Sequence, residues 1–144
     1  MDAINLSLVD SDEFLLLFDP DRHLFYFQRL HPEKGSALTP LKFEFTTATR
    51  ISYDATDNRI YWTDRHGKIS RAFTRNGSTE VLTISIGNPG DIELDLATKK
   101  IYYTVDNYGG LSGTIRVMSL DGRHQAVLAY VEKPQGIALD IYSG

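Results

Sequence analysis

Residues 60 to 64 read Ile60-Tyr61-Trp62-Thr63-Asp64, and 41 positions later residues 101 to 104 read Ile101-Tyr102-Tyr103-Thr104. The likeness extends upstream without a gap. Ile51-Ser52-Tyr53-Asp54 stands five residues before the first string, as Ile92-Glu93-Leu94-Asp95 does before the second. Downstream, Lys68-Ile69-Ser70-Arg71 answers Thr114-Ile115-Arg116-Val117, Asn76-Gly77 answers Asp121-Gly122, and Val81-Leu82 answers Val127-Leu128. Offsets there are 45 to 46, because the segment from Asp106 to Gly113 is longer in the later copy. The opening string returns as Ile137-Ala138-Leu139-Asp140 and, more degraded, as Leu8-Val9-Asp10. A weaker aromatic string, Leu15-Leu16-Leu17-Phe18-Asp19, ends 45 residues before Asp64. This period governs every later reading, because a missed repeat misassigns the whole fold.

Inside each unit the apolar runs are short, β-branched and aromatic, and flanked by polar turns, which is strand chemistry. No segment has the period of an amphipathic helix. Each unit reads as four strands: a (Leu6 to Asp10, Ile51 to Asp54, Ile92 to Asp95), b (Phe14 to Phe18, Ile60 to Thr63, Ile101 to Val105), c (Leu24 to Gln28, Lys68 to Phe73, Thr114 to Leu120) and d (Ala37 to Leu41, Glu80 to Ile84, Gln125 to Tyr130). Asp57-Asn58, Asn76-Gly77, Asn88-Pro89-Gly90 and Asp121-Gly122 supply the turns between them. Four antiparallel strands repeated every 41 to 45 residues are the signature of β-propeller blades. The predicted fold is all-β. The predicted units are blade 1 at about residues 4–50, blade 2 at about 51–91, blade 3 at about 92–136, and the start of a further blade at 137–144.

Composition sets the outer limits. At 144 residues the chain is one domain or part of one, long enough to bury roughly two-thirds of its unfolded surface. It is 42% hydrophobic and 24% charged, an ordinary globular balance. A net charge of -4 without a basic cluster argues against a nucleic-acid partner. The absence of cysteine excludes disulfides, thiol catalysis and zinc-thiolate sites. No run approaches the roughly 18 apolar residues of a membrane span, and the start lacks the pattern of a signal peptide. No direct membrane insertion is expected.

The string Ile60 to Asp64, preceded by Ile51-Ser52-Tyr53-Asp54 and followed by Ile69-Ser70-Arg71 and Asn76-Gly77-Ser78, resembles the YWTD repeats of the low-density lipoprotein receptor family. The resemblance spans most of the chain. It departs at Val105, where the second copy's Asp is expected, at Tyr103 in place of Trp, and in the first unit, which keeps only Asp19. WD40 repeats share the period but need adjacent Trp-Asp after Gly-His, and Thr63 intervenes here. The resemblance implies Tyr61, Trp62, Tyr102 and Tyr103 as structural aromatics between sheets. It gives Thr63 and Asp64 to backbone donors or a neighbouring blade's arginine at the strand end. Burying a Trp removes about 150 to 250 Å² from water, at most about 4 to 6 kcal/mol by area.

The resemblance further implies an incomplete six-bladed propeller, since about 43 residues per blade give roughly three and a third blades. The chain is then a fragment of a larger receptor ectodomain, in the extracellular part of a membrane receptor, or two copies complete one ring as a homodimer. The implied function is non-enzymatic binding of a protein ligand on the rim, with no cofactor. Ligands of such propellers sit on the face built by the b-to-c loops and the d-to-a loops. Those are Asp19 to His23, Asp64 to Gly67 and Val105 to Gly113, and Lys42 to Arg50, Gly87 to Asp91 and Val131 to Gln135. Asp21-Arg22-His23 and Asp64-Arg65-His66 repeat one tripeptide 43 residues apart, making Arg22, His23, Arg65 and His66 candidate ligand contacts. Arg is enriched at interfaces and His titrates near endosomal pH, so the resemblance implies ligand release on acidification. Asn107 and Tyr108, at the Gly-flanked tip of the long loop, are the other candidates. The alternative for each is a solvated turn.

Catalytic signatures are absent: there is no Gly-x-Ser-x-Gly, His-Glu-x-x-His, phosphate loop or Cys/His cluster. Asp10-Ser11-Asp12 and Asp19-Pro20-Asp21 lack the Gly and Glu of a calcium loop, so no metal site is assigned. One enzymatic reading stays open. Asp10, Asp54, Asp95 and Asp140 end the axis-lining strands, where a lactonase-like, metal-dependent propeller hydrolase holds its divalent ion. A turn or blade-linking role is the simpler reading. Asn76-Gly77-Ser78 is a glycosylation sequon on the c-to-d turn, and Asn5-Leu6-Ser7 also matches the pattern but falls in a predicted strand.

Overall fold

The computed structural model of the protein describes residues 14–19, 21–29, 38–41, 48–75, 77–85, 87–107 and 112–140. Asn76, Tyr108, the Asn5 sequon, the first-unit strand from Leu6 to Asp10, and most of the loop from Lys42 to Arg50 lie outside the described residues. Eleven strands form three antiparallel sheets, with no helix among the described residues. The first sheet holds β1 (Phe14–Asp19), β2 (Leu24–Arg29) and β3 (Thr39–Leu41). The second holds β4 (Ala48–Asp54), β5 (Arg59–Asp64), β6 (Lys68–Phe73) and β7 (Thr79–Ile84). The third holds β8 (Asn88–Asp95), β9 (Lys100–Asp106), β10 (Gly113–Ser119) and β11 (Ala126–Val131). In each, chain order is spatial order, the meander of a propeller blade.

The sheets pack face to face because alternate residues of each central strand serve different interfaces. On β5, Ile60 and Trp62 join Phe25, Leu41, Ala48 and Ala72 in a core between the first and second sheets. The Trp62 ring sits 6.3 Å from the Phe25 ring, tilted by 57°. Tyr61 points the other way, into a second core with Ile69 of its own sheet and Ile92, Ile101, Tyr103, Val105 and Met118 of the third. The tetrapeptide thus bolts one sheet to both neighbours.

The sheets are also latched at their edges. Thr63 Oγ1 donates to the Gly90 carbonyl of the next sheet at 2.8 Å and lies 3.0 Å from Thr49 Oγ1. Arg71 reaches across from β6: Nη1 donates to the Leu120 carbonyl at 2.8 Å, while Nε and Nη2 each meet Glu80 Oε2 at 2.8 Å. Closest packing lies along the inner strands, where β8 rests on β4 and β5. The three sheets therefore converge at one edge.

Strand a is longer than expected in both complete sheets. β4 begins at Ala48 and β8 at Asn88, three and four residues before Ile51 and Ile92. Asn88-Pro89-Gly90 reads as a turn signal in sequence, but β8 is the innermost, edge strand, where a proline needs no ladder partner. The pairing slips between Pro89 and Ile92, a bulge that takes up the irregularity. Residues Pro134 to Asp140, which include the string Ile137 to Asp140 expected to open a further blade, run outside any sheet.

Candidate functional site

The turns sort into two ends of the stack. The b-to-c and d-to-a connections lie at one end, and the a-to-b and c-to-d turns at the other. At the a-to-b turns, Asp54 and Asp95 act as turn carboxylates. Asp54 Oδ1 accepts from Thr56 N at 2.8 Å, Thr56 Oγ1 at 2.5 Å and Asp57 N at 3.2 Å. Asp95 accepts from the backbone of Ala97 and Thr98 and from the Thr98 hydroxyl. These bonds use the carboxylates that the hydrolase reading would turn on a divalent ion. Among the described residues, no group of three or more His, Asp or Glu is placed to hold a metal.

At the opposite end a cleft of about 350 Å³ opens between the second and third sheets, lined by Thr49, Arg50, Arg65, Asn88, Pro89 and Gly90. β4 delivers Thr49 and Arg50 at its first turn of ladder, the b-to-c turn delivers Arg65, and the bulged start of β8 forms the far wall. Arg50 is anchored: Nη1 donates to the Thr49 carbonyl at 2.9 Å, and Nε lies 4.0 Å from Asp91 Oδ1. Arg65 is exposed and forms no ion pair among the described residues. Two guanidiniums and the Asn88 side chain therefore line the cleft, and of the two arginines only Arg50 has a carboxylate beside it among the described residues, so the cleft favours an anionic or carbonyl-rich guest.

The turn beneath Arg65 is fixed by Asp64, whose Oδ1 accepts from His66 N at 2.7 Å and Lys68 N at 2.9 Å. Gly67 closes it in a left-handed conformation, φ 83°, where an added Cβ would stand 2.8 Å from the Ser85 carbonyl oxygen. In the first sheet the counterpart of Asp64 is Asp19, not Asp21. Asp19 Oδ1 accepts from Asp21 N and Arg22 N, and His23 takes the left-handed place of Gly67 at φ 54°. The repeated Asp-Arg-His tripeptide is thus out of structural step, by two residues at its Asp and by one at its His. Both turns connect b to c, but Arg22 folds back on Asp19, Nε to Oδ2 at 3.7 Å, while Arg65 lines the cleft.

Asn107 closes the neck of the long loop. Its backbone N donates to the Ser112 carbonyl at 3.1 Å and its Nδ2 to Ser112 Oγ at 3.3 Å. Arg50 and Asn88 were not singled out in the sequence, because they precede the hydrophobic strings that mark strand a. Arg50 stands one residue before Ile51 and Asn88 four before Ile92, and their place in loops assigned to the ligand face was the available signal.

No known protein-family profile matches the chain. Among curated proteins it is similar to protein cueball of Drosophila yakuba, 24% identical over 148 residues, which cover 87% of this chain and 22% of that protein. Protein cueball of Drosophila grimshawi is 25% identical over 144 residues, covering 87% and 24%. The chain spans about a quarter or less of the length of these relatives. Among solved structures, a nidogen/laminin complex gives a TM-score of 0.60 at 21% identity, covering 83% of this chain and 49% of that one. A putative TolB from Agrobacterium tumefaciens gives 0.69 at 15% identity, covering 85% and 47%. These structures are β-propellers, and the likeness establishes the fold: the three sheets are blades of a partial propeller.

Proposed function

We propose that the chain is part of an extracellular, non-enzymatic propeller of the low-density lipoprotein receptor type, which binds a protein ligand on the face that carries the Arg50 and Arg65 cleft. The observation that carries this reading is the cleft itself. It opens between two blades, at the end where the b-to-c and d-to-a loops gather, and its donors match an acidic or amide-bearing side chain of a partner. His23 and His66 stand in the b-to-c turns of the same end, which gives acidification a route to ligand release. Nidogen, whose propeller this chain resembles in fold, is seen in complex with laminin, so matrix proteins are the first partners to try.

The test is an array of extracellular proteins that includes laminin, probed with the 144-residue chain at about pH 7.4 and about pH 5.5. A binder found at the higher pH is expected to weaken by about tenfold or more with Arg65→Ala, and to lose its pH dependence with His23→Ala and His66→Ala. If those variants keep their circular dichroism and bind as the parent does at both pH values, the cleft is not the ligand face.

A further inference from the structure

The cleft between the second and third sheets has a counterpart one unit on. Ile137 stands to Ile92 as Ile92 stands to Ile51, and Pro134 precedes Ile137 by three residues, as Pro89 precedes Ile92. The contacts agree with that alignment. Thr63 Oγ1 lies 3.0 Å from Thr49 Oγ1 and donates to the carbonyl of Gly90 as the next strand passes. One unit on, Thr104 Oγ1 lies 2.6 Å from where a Cβ on Gly90 would stand, and that same point is 3.6 Å from the passing carbonyl oxygen of Gln135. Arg50 Nε approaches Asp91 Oδ1 at 4.0 Å, and Asp91 Oδ2 in turn accepts from Ile137 N at 2.9 Å. Each position that lines the cleft therefore has a described counterpart in the seam between the third sheet and residues 134–137.

The charge reverses between the two. Arg50 is answered by Asp91, each just before its isoleucine, and Arg65 by Asp106, each two residues after its threonine. Asn88 is answered by Lys133, which is exposed and forms no ion pair among the described residues. Asp91 is already engaged, since Oδ2 holds Ile137 N and Oδ1 faces Arg50. Asp106 is not: it enters no ion pair among the described residues, and its Oδ1 is shielded from solvent yet accepts no hydrogen bond. A carboxylate oxygen cut off from water and left without a donor attracts a cationic donor more strongly than an exposed one does.

We propose that this end binds an extended peptide segment of a partner that carries an acidic and a basic side chain about three residues apart, the acid seated between Arg50 and Arg65 and the base on Asp106. The inference rests on the reading of this end as the ligand face. Neighbouring sheets stack about 10 Å apart, and an extended chain with three residues per turn and a rise of about 3.1 Å brings residues three apart to the same side across about that distance. A wholly acidic segment meets a like charge at Asp106, and a wholly basic one meets a like charge at Arg65. The paired seams therefore discriminate against both.

Selection from a displayed library of short random peptides on the purified chain tests this. The expected winners carry Asp or Glu and Lys or Arg about three positions apart, in one fixed order. Arg65→Glu should turn the first preference from acid to base, Asp106→Lys should turn the second from base to acid, and the variant with both changes should select the pair in the reverse order. A synthetic copy of the winning peptide should bind the parent at least about fivefold more tightly than it binds Asp106→Asn at low salt, and the gap should narrow as salt rises. Asp106→Asn keeps the shape of the side chain, so the charge is still tested if Asp106→Lys loses the circular dichroism of the parent. Winners without the pair, or no enrichment at all, would overturn the inference. If Arg65→Glu alters the selected peptides and neither change at Asp106 does, the cleft remains the ligand face and the charge reversal has no part in it. If none of the three alters them, both readings fall.

Discussion

Strands β5 and β9 hold the same place in neighbouring blades, with Ile60, Tyr61, Trp62 and Thr63 matched by Ile101, Tyr102, Tyr103 and Thr104, and they part company at the last residue. Asp64 ends β5 and ties its carboxylate to the next turn, which leaves only Arg65, His66 and Gly67 before β6. Val105 in that place cannot accept a hydrogen bond. It is fully buried instead, in the core shared with the second sheet and close enough to Gly87 that a Cβ there would lie 2.8 Å from its Cγ1. β9 runs on to Asp106, and the loop to Gly113 is held at its neck by Asn107 and Ser112. The first four positions answer to the packing of blades on each other. The fifth decides what kind of loop the end that carries the cleft receives.

The sharpest way to break this comparison is at the shared third position. Trp62→Ala should cost about 3 to 5 kcal/mol, since it empties the core between the first and second sheets beside Phe25. Tyr103→Ala should cost a similar amount, because it opens the next core in the same way. Urea unfolding followed by tryptophan fluorescence reads Tyr103→Ala directly, and circular dichroism serves for Trp62→Ala. A loss below about 1 kcal/mol at either position would mean that these rings are not what holds adjacent blades together.

Asp64→Val is the next largest change and converts the fifth position of β5 into that of β9. It should cost about 1 to 3 kcal/mol, because two turn N–H groups lose a carboxylate and the short turn has no room to find another acceptor. The converse, Val105→Asp, places a charge in a fully buried site and should be worse tolerated. Equal, small effects of the two substitutions would show that the last residue is interchangeable and that loop length is set elsewhere.

The blade period and its aromatic positions were legible because burial repeats: every blade must meet two others through the same strand, so Ile60, Trp62, Ile101 and Tyr103 are constrained alike. The cleft was legible only as a set of loops. Arg65 was marked by a tripeptide that proved to be out of structural step, since Asp19 rather than Asp21 performs the turn-closing task of Asp64. Arg50 and Asn88 left no repeating trace, because an exposed side chain at the start of an inner strand is fixed by no neighbour's packing. The early start of β8 was hidden by Pro89 and Gly90, whose turn chemistry is overridden at an edge strand with a bulge.

The smallest expected effect separates two carboxylates of β8 that stand two residues apart. The Thr98 hydroxyl and backbone, with Ala97 N and the charge of Lys100, hold Asp95 below the ordinary carboxylate range. Burial, with the charge of Asp91, pushes Glu93 above it. The signs follow from proton binding. Folded Asp95 binds its proton less readily than the unfolded chain, so its contribution is complete above about pH 4 and is lost as pH falls through the lowered folded value. Folded Glu93 binds its proton more readily, so its contribution is complete below about pH 4.3 and is lost as pH rises through the raised value. Thermal unfolding between about pH 2.5 and about pH 7 should therefore show the deficit of Asp95→Asn shrinking towards acid, while Glu93→Gln gains on the parent towards neutrality. Parallel curves for parent and both variants would mean that the turn at Thr98 and the crowding at Asp91 leave no mark on the stability of the third blade.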